Sequence, residues 1–296
     1  MLSYGVSNAQ EVELFGVARN ACVTDDPIGG SLYRIDPENA QATRIGDIGF
    51  DGISGLAFIP DGRLVGSARG DIDGQDNAIL IDVNVARGTG SLIGLIGDQT
   101  EGGCGRAPDL SVDPLTNTLF ATGNQCPGSD QYLQMVDPIT GQGTLVGVYS
   151  NVFSGGGGLA VSGIGEFFVT GEVNSIANII SVDPNTGAPT FIANLNLEEE
   201  VFVNSLAFHP ITGELFGSTV DLDNPPDERS STLIKINTVT GVTTKVGDLP
   251  DCFDGIIFRE VLPSNVPTLS GWGLIATAGL LGIIGFIVIR KRQVTA

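Results

Sequence analysis

One histidine, one tryptophan and two methionines are all that the chain supplies of those residues, and 14 Lys plus Arg face 34 Asp plus Glu. A formal charge of −20 leaves no basic surface for a polyanion, which excludes nucleic-acid binding. With a single histidine and no Cys-x-x-Cys pair, the usual zinc ligand sets are missing. A Ser-His-Asp hydrolase would have to use His209, and Phe208-His209-Pro210 reads as a tight turn where no cavity is expected. Aromatic residues are only 6% of the chain and the sole tryptophan is Trp272, so platforms for stacking sugars are scarce. No long stretch before Trp272 keeps a 3.6-residue apolar period, which excludes a helical body. Residues 1–10 have neither the basic start nor the apolar core of a signal peptide. Ser7-Asn8-Ala9 does have the small-x-Ala form of a cleavage site, and residues 1–10 are read as the remnant of such a peptide.

What the chain does contain is a repeat. A short apolar strand leads through a Pro/Gly turn to a strand ending in Gly, then a variable loop, a third strand ending in Asp or Asn, a second tight turn, and a fourth strand. The turn residues are placed at Asp36, Asp82, Asp137, Asp183 and Asn237, about 50 residues apart. Ile139-Thr140-Gly141, Asn185-Thr186-Gly187 and Val239-Thr240-Gly241 follow at one offset and suit a turn closed by glycine. Leu32–Ile35, Ile179–Val182 and Leu233–Ile236 are β-branched and partly alternating, as strands require. Four strands per unit is the content of a propeller blade, a small twisted sheet that buries its faces on its neighbours.

The ends of the array argue for closure. It opens mid-unit, where Glu13-Leu14-Phe15-Gly16 matches Glu214-Leu215-Phe216-Gly217, and it ends on a lone first strand, Asp254–Phe258, matching Ser54–Phe58. Three strands from the start and one from the end therefore make a fifth blade. The expected fold is an all-β, five-bladed β-propeller over residues 11–260, with six blades as the alternative. Gly55, Asp109, Gly158, Ser205 and Gly255 fall at the innermost positions, where a narrow centre needs small side chains.

Blade register also selects a cysteine pairing. Cys22 and Cys252 take the same two positions in the closing blade as Cys104 and Cys126 take in another, which predicts Cys22–Cys252 and Cys104–Cys126. Disulfides fit an oxidising compartment. The loops between second and third strands share one face of the disc and hold Asp25-Asp26, Asp71–Asp76 and Asp221–Glu228. Asp71, Asp73 and Asp76 around Gly74 have the alternating carboxylates of a calcium loop, without the glutamate at the twelfth position; solvated acidic loops are the plainer reading. Asp109, Asp254 and Asp51 are the carboxylates expected near the axis, where an acid and a base for polysaccharide hydrolysis would stand.

The last thirty residues say where the chain goes. Residues 272–289 are uncharged and just long enough, at about 1.5 Å per residue, to cross a hydrocarbon core of roughly 30 Å. Arg290, Lys291 and Arg292 act as a stop-transfer cluster that stays in the cytoplasm, within residues 290–296, and puts the preceding domain outside. Val266-Pro267-Thr268-Leu269, then Trp272-Gly273, an apolar segment and a basic end, resemble the IPTL-CTERM sorting signal, with Val266 where that family usually has Ile. The resemblance implies recognition by an exosortase-type protease, with residues 261–271 as linker and motif and the helix as a disposable anchor. An ordinary single-pass anchor is the alternative. The expectation is an exported, membrane-anchored propeller that is released to the cell surface or medium and offers its acidic loop face to a glycan, matrix polymer or protein. A carboxylate-dependent polysaccharide hydrolase or lyase is the competing class.

Overall fold

The computed structural model describes residues 11–19, 30–72, 75–96, 107–124, 131–149, 157–221 and 230–261. In chain order the strands are β1 (Glu11–Arg19), β2 (Ser31–Ile35), β3 (Ala42–Asp47), β4 (Leu56–Phe58), β5 (Leu64–Ile72), β6 (Gln75–Val83), β7 (Gly90–Leu95), β8 (Leu110–Asp113), β9 (Thr118–Asn124) and β10 (Gln131–Val136). They continue as β11 (Gly143–Val148), β12 (Leu159–Val161), β13 (Phe167–Val173), β14 (Ile176–Val182), β15 (Pro189–Asn194), β16 (Val201–Phe208), β17 (Leu215–Asp221), β18 (Ser231–Ile236), β19 (Thr243–Leu249) and β20 (Cys252–Val261). Four consecutive runs, β4 to β7, β8 to β11, β12 to β15 and β16 to β19, form the first to fourth blades, each a four-stranded sheet. The closing blade has the order β20-β1-β2-β3, so the last strand lies beside the first. The protein is a five-bladed propeller, as the repeat predicts.

Closure follows from packing as well as pairing. Leu14, Ile35, Phe253 and Ile256 of the closing blade share a buried cluster with Phe216 and Leu233 of the fourth. Its other side packs Phe15, Val17 and Leu32 against Leu56, Leu64 and Ile81 of the first blade. Both faces of the closing sheet are thus dry, which gives a four-stranded sheet the apolar contact it lacks alone. The junction is tied further by Arg259 of β20. Its guanidinium is ion-paired with Glu13 of β1 and lies over the rings of Phe15 and Phe58, at 5.1 and 5.4 Å from their centroids. Arg34 of β2 reaches the same Glu13 at 2.8 Å.

The turns between third and fourth strands start at Asp36, Asn84, Asp137, Asp183 and Asn237, so one of the five residues predicted from the repeat was misplaced. Asp82 lies inside β6, opposite Val65, and accepts a hydrogen bond from Arg63 at 3.2 Å. Asn84, two residues on, is the turn residue, its carbonyl accepting the Gly88 N–H at 2.7 Å. In every such turn the residue four places on is left-handed: Gly88, Gly141, Gly187 and Gly241 have φ between 71° and 81°, and Ala40 has φ 60°.

A regular irregularity spaces the blades. Each third and fourth strand pair slips register once, leaving Ile45, Ile93, Val146, Ile192 and Val246 as bulged residues. The bulge turns these side chains into the interblade clusters. The residue after each bulge is Gly46, Gly94, Gly147, Ala193 or Gly247, and it abuts the left-handed turn residue of the next blade. A Cβ on Gly94 would stand 2.0 Å from the Thr140 carbonyl oxygen, and one on Gly147 2.0 Å from that of Thr186. The same contact joins Gly46 to Gly88, Ala193 to Gly241 and Gly247 to Ala40. Each seam holds at most one methyl group.

Gly247→Ala would place a second methyl in the seam where Ala40 already has one, 3.0 Å from its Cβ and 2.7 Å from the Asn39 carbonyl oxygen. The expected loss in a urea melt is about 1–3 kcal/mol from overpacking. Gly213→Ala provides the control: its φ is 71° with nothing within 4 Å of an added Cβ, so it should cost only about 1 kcal/mol of backbone strain. Equal losses in the two variants would refute the seam.

Candidate functional site

The centre of the ring is where the sequence placed its candidate acid and base. β4, β8, β12, β16 and β20 are the innermost strands, and the ring of small positions around the axis is Gly55, Asp109, Gly158, Ser205 and Gly255. These glycines are required by contact: a Cβ on Gly55 would stand 2.7 Å from the Asp109 Cα, and one on Gly255 2.1 Å from the Ser54 carbonyl oxygen.

Asp109 fills the space that the glycines leave. It is fully buried, and its Oδ1 accepts the N–H of Leu110 at 2.9 Å. Oδ2 accepts the N–H of Leu159 from the third blade at 2.9 Å and of Leu206 from the fourth at 3.0 Å. The Ser205 hydroxyl also bonds the carboxylate, and it accepts the N–H of Ile256 from the closing blade at 2.9 Å. One side chain therefore links four of the five blades. Burial raises its pKa well above the usual carboxylate range, against the opposing pull of the three backbone N–H groups and the Ser205 hydroxyl.

Around this group runs a relay that the sequence reading missed. Ser67, Thr122 and Thr170 occupy one position of the second strand in three successive blades. Each hydroxyl accepts an N–H of its own innermost strand, from Gly55 at 2.8 Å, Asp109 at 3.1 Å and Gly158 at 3.0 Å. Each then donates to a carbonyl of the next blade, Ala107 at 2.6 Å, Gly157 at 3.0 Å and Val203 at 2.9 Å. Ser218 is the counterpart in the fourth blade, buried and with no partner for its hydroxyl, and the closing blade has Val17 there. The relay is interrupted beside the closing blade.

The remaining candidates are dispersed. Asp254 is 4% exposed and accepts a hydrogen bond from Asn204 at 2.8 Å. Asp51 lies at the surface in an isolated bridge with Arg69. Asp71 and Asp76 are directly opposed where β5 and β6 approach their hairpin end, while Asp73 lies outside the described residues. Among the described residues no three His, Cys, Asp or Glu are gathered for a metal ion. His209 sits in a tight turn as predicted: its Nδ1 accepts the N–H groups of Ile211 and Thr212, each at 3.2 Å, and its ring packs on Phe258. Cys252 is buried and is not a free thiol. Cys22, Cys104 and Cys126 lie outside the described residues, as does everything from 262 to 296. Among the described residues no helix is long and apolar enough to cross a membrane.

Comparison with known proteins bears on the tail and on the fold separately. Residues 266–293 match the IPTL-CTERM motif. That motif implies processing by an exosortase-type system and a place outside the cytoplasm on a membrane. No curated protein matches the chain significantly. Among solved structures, a chain of the nidogen/laminin complex superposes with a TM-score of 0.51 at 15% identity, covering 84% of this chain and 98% of that one. A provisionally named 6-phosphogluconolactonase from Bacteroides fragilis gives 0.46 at 9% identity, covering 86% and 99%. At such identities the likeness concerns the fold alone.

Removal of the central carboxylate should be severe. Asp109→Ala leaves three buried N–H groups without an acceptor, each worth about 1–3 kcal/mol, and its melting temperature should fall accordingly. The pH dependence has a defined sign. A folded pKa above the unfolded one means that the contribution of Asp109 is full at pH below the ordinary carboxylate range and is lost as pH rises through the elevated value. The turn carboxylates Asp137 and Asp183, held low chiefly by backbone N–H bonds, act the other way and lose their contribution on acidification. The stability difference between wild type and Asp109→Asn, measured by denaturant titration across pH, should therefore shift against wild type as pH rises; a flat difference would contradict it.

Proposed function

We propose that this chain is an exported, surface-sorted, non-enzymatic propeller that presents its acidic loop face to a glycan, a matrix polymer or a protein partner. The observation that carries the reading is the sorting motif at 266–293 on a chain whose preceding residues form a closed ring. Val266, Pro267, Thr268, Leu269, Trp272 and Gly273 serve as the recognition element for an exosortase-type protease. Residues 272–289 are the membrane span, and Arg290, Lys291 and Arg292 hold its end in the cytoplasm. The Cys22–Cys252 and Cys104–Cys126 disulfides suit the oxidising side of the membrane.

The state of the axis supports a binding role over hydrolysis. A general acid must reach a substrate oxygen, whereas Asp109 is enclosed and its lone pairs are engaged by backbone N–H groups. The loop face is where chemistry of recognition is left to act. With the tail's three cations set aside, the remainder of the chain carries about −23, so its ligand is neutral, cationic or bridged by a divalent ion.

Pro267→Ala combined with Thr268→Ala tests the sorting. In the native host the wild-type domain is expected in the surface or medium fraction with a mass lacking the tail, and the variant uncut in the membrane fraction. A variant that is cut and released like wild type would overturn the assignment. Calcium at Asp71, Asp73 and Asp76 has its own test. Millimolar calcium should raise the melting temperature of wild type and leave Asp71→Asn with Asp76→Asn unchanged, because a ligand of the folded state alone shifts unfolding by mass action. No shift in wild type would remove calcium from the reading.

A further inference from the structure

The tight turns, between first and second and between third and fourth strands, share one face, and its tips are not alike. On the second, third and fourth blades five of the six are aliphatic, the exception being Asn185 on the third: Leu115, Ile139, Ile164, Ile211 and Val239 are 65%, 77%, 73%, 48% and 78% exposed. At matching places on the closing and first blades stand Glu38, Asp61 and Ala86. Leu115 and Ile164 are neighbours across a blade junction, since a Cβ on Gly165 would touch the Leu115 side chain at 2.6 Å. Folding has no use for five exposed aliphatic tips gathered on one arc of one face.

Both ends of the ring emerge on this face. β1 begins at Glu11 and β20 ends at Val261, and the Glu13–Arg259 ion pair joins the strands near those ends. Phe258 rests on His209 of a turn-face loop, at 5.0 Å between rings. Between Val261 and Trp272 lie ten residues, 262–271, a tether that spans about 35 Å when fully extended. A bilayer holding residues 272–289, as proposed above, would therefore lie within that tether's length of the strand ends, while the strand ends at Asp221 and Ser231, between which one acidic loop runs, are at the opposite end of their sheet.

We infer that, while the tail is inserted, the turn face rests on the bilayer with these five aliphatic tips in the headgroup layer, so that the opposite ends of the second and third strands point outward. The inference rests on the anchored reading given above. A second copy of the chain is a poorer occupant, because two bodies of formal charge −20 repel. The same charge selects the lipid. Asp137 and Asp183 share the arc with the tips, so the contact uses the apolar layer of zwitterionic lipid and gains nothing from anionic headgroups.

The test uses the full chain in phosphatidylcholine vesicles, recovered by flotation and exposed to hydroxyl radicals. Leu92 and Leu145, on the outer strands and 53% and 54% exposed, serve as internal references of the same chemistry. The tips are more exposed than these leucines or nearly so, yet in vesicles they should oxidise at least about threefold more slowly, as immersed side chains do. In a variant combining Ile139→Asn, Ile164→Asn and Val239→Asn, Leu115 should regain the rate of the references. Flotation with tips as reactive as Leu92 and Leu145 overturns the inference and leaves the anchor standing. Failure to float overturns both. Protection that grows with protein density at fixed lipid identifies self-association and overturns the lipid contact.

Discussion

The close approach of one blade's bulge to the next blade's turn is the constraint on which the ring depends. A five-bladed ring demands one angle and one spacing at every junction, and a sheet of four strands has no intrinsic reason to supply either. The register slip in each outer pair supplies both. It turns Ile45, Ile93, Val146, Ile192 or Val246 into the junction and brings the following residue against the neighbour's left-handed turn. Backbone meets backbone there, so the spacing is set by covalent geometry and not by adjustable side chains. Once the outer contacts are fixed, the innermost strands converge until Gly55, Gly158 and Gly255 have no room for a Cβ, and Asp109 with Ser205 fills the gap.

That aspartate shows how a polar group can be both costly and indispensable. Desolvation works against the Asp109 carboxylate, yet amide groups near the axis cannot pair across blades as strands do within a sheet, and an unpaired buried N–H is itself expensive. A carboxylate with two oxygens serves N–H groups from three strands, and through Ser205 a fourth. The buried acid at the centre is explained by backbone accounting.

Much of this was legible in the chain. The offset between Glu13-Leu14-Phe15-Gly16 and Glu214-Leu215-Phe216-Gly217 foretold the composite closing blade, because a repeat cut mid-unit must be completed from the other end. The sorting motif was equally plain, since its residues, order and basic end are read locally. Asp82 was mistaken for a turn residue because it is an acid near a strand end; the true position, Asn84, is marked by Gly88 four residues later, a backbone requirement and not a matter of residue chemistry. The bulges were written as Ile-Gly, Val-Gly or Ile-Ala in all five fourth strands, but a register slip leaves no signature that alternation rules detect. The role of Asp109 was unreadable for another reason. Its partners are N–H groups, which every residue but proline has, so nothing in the sequence distinguishes an acid that binds substrate from one that binds main chain.

The final strand stops at Val261, and the motif starts five residues later. Whatever is severed beyond that point takes no strand of the disc with it, whereas trimming ten residues further back would remove the innermost strand of the composite blade and unzip the circle. If processing cuts beyond Val261, every strand of the closed ring stays with the released part, and the product departs as a finished object.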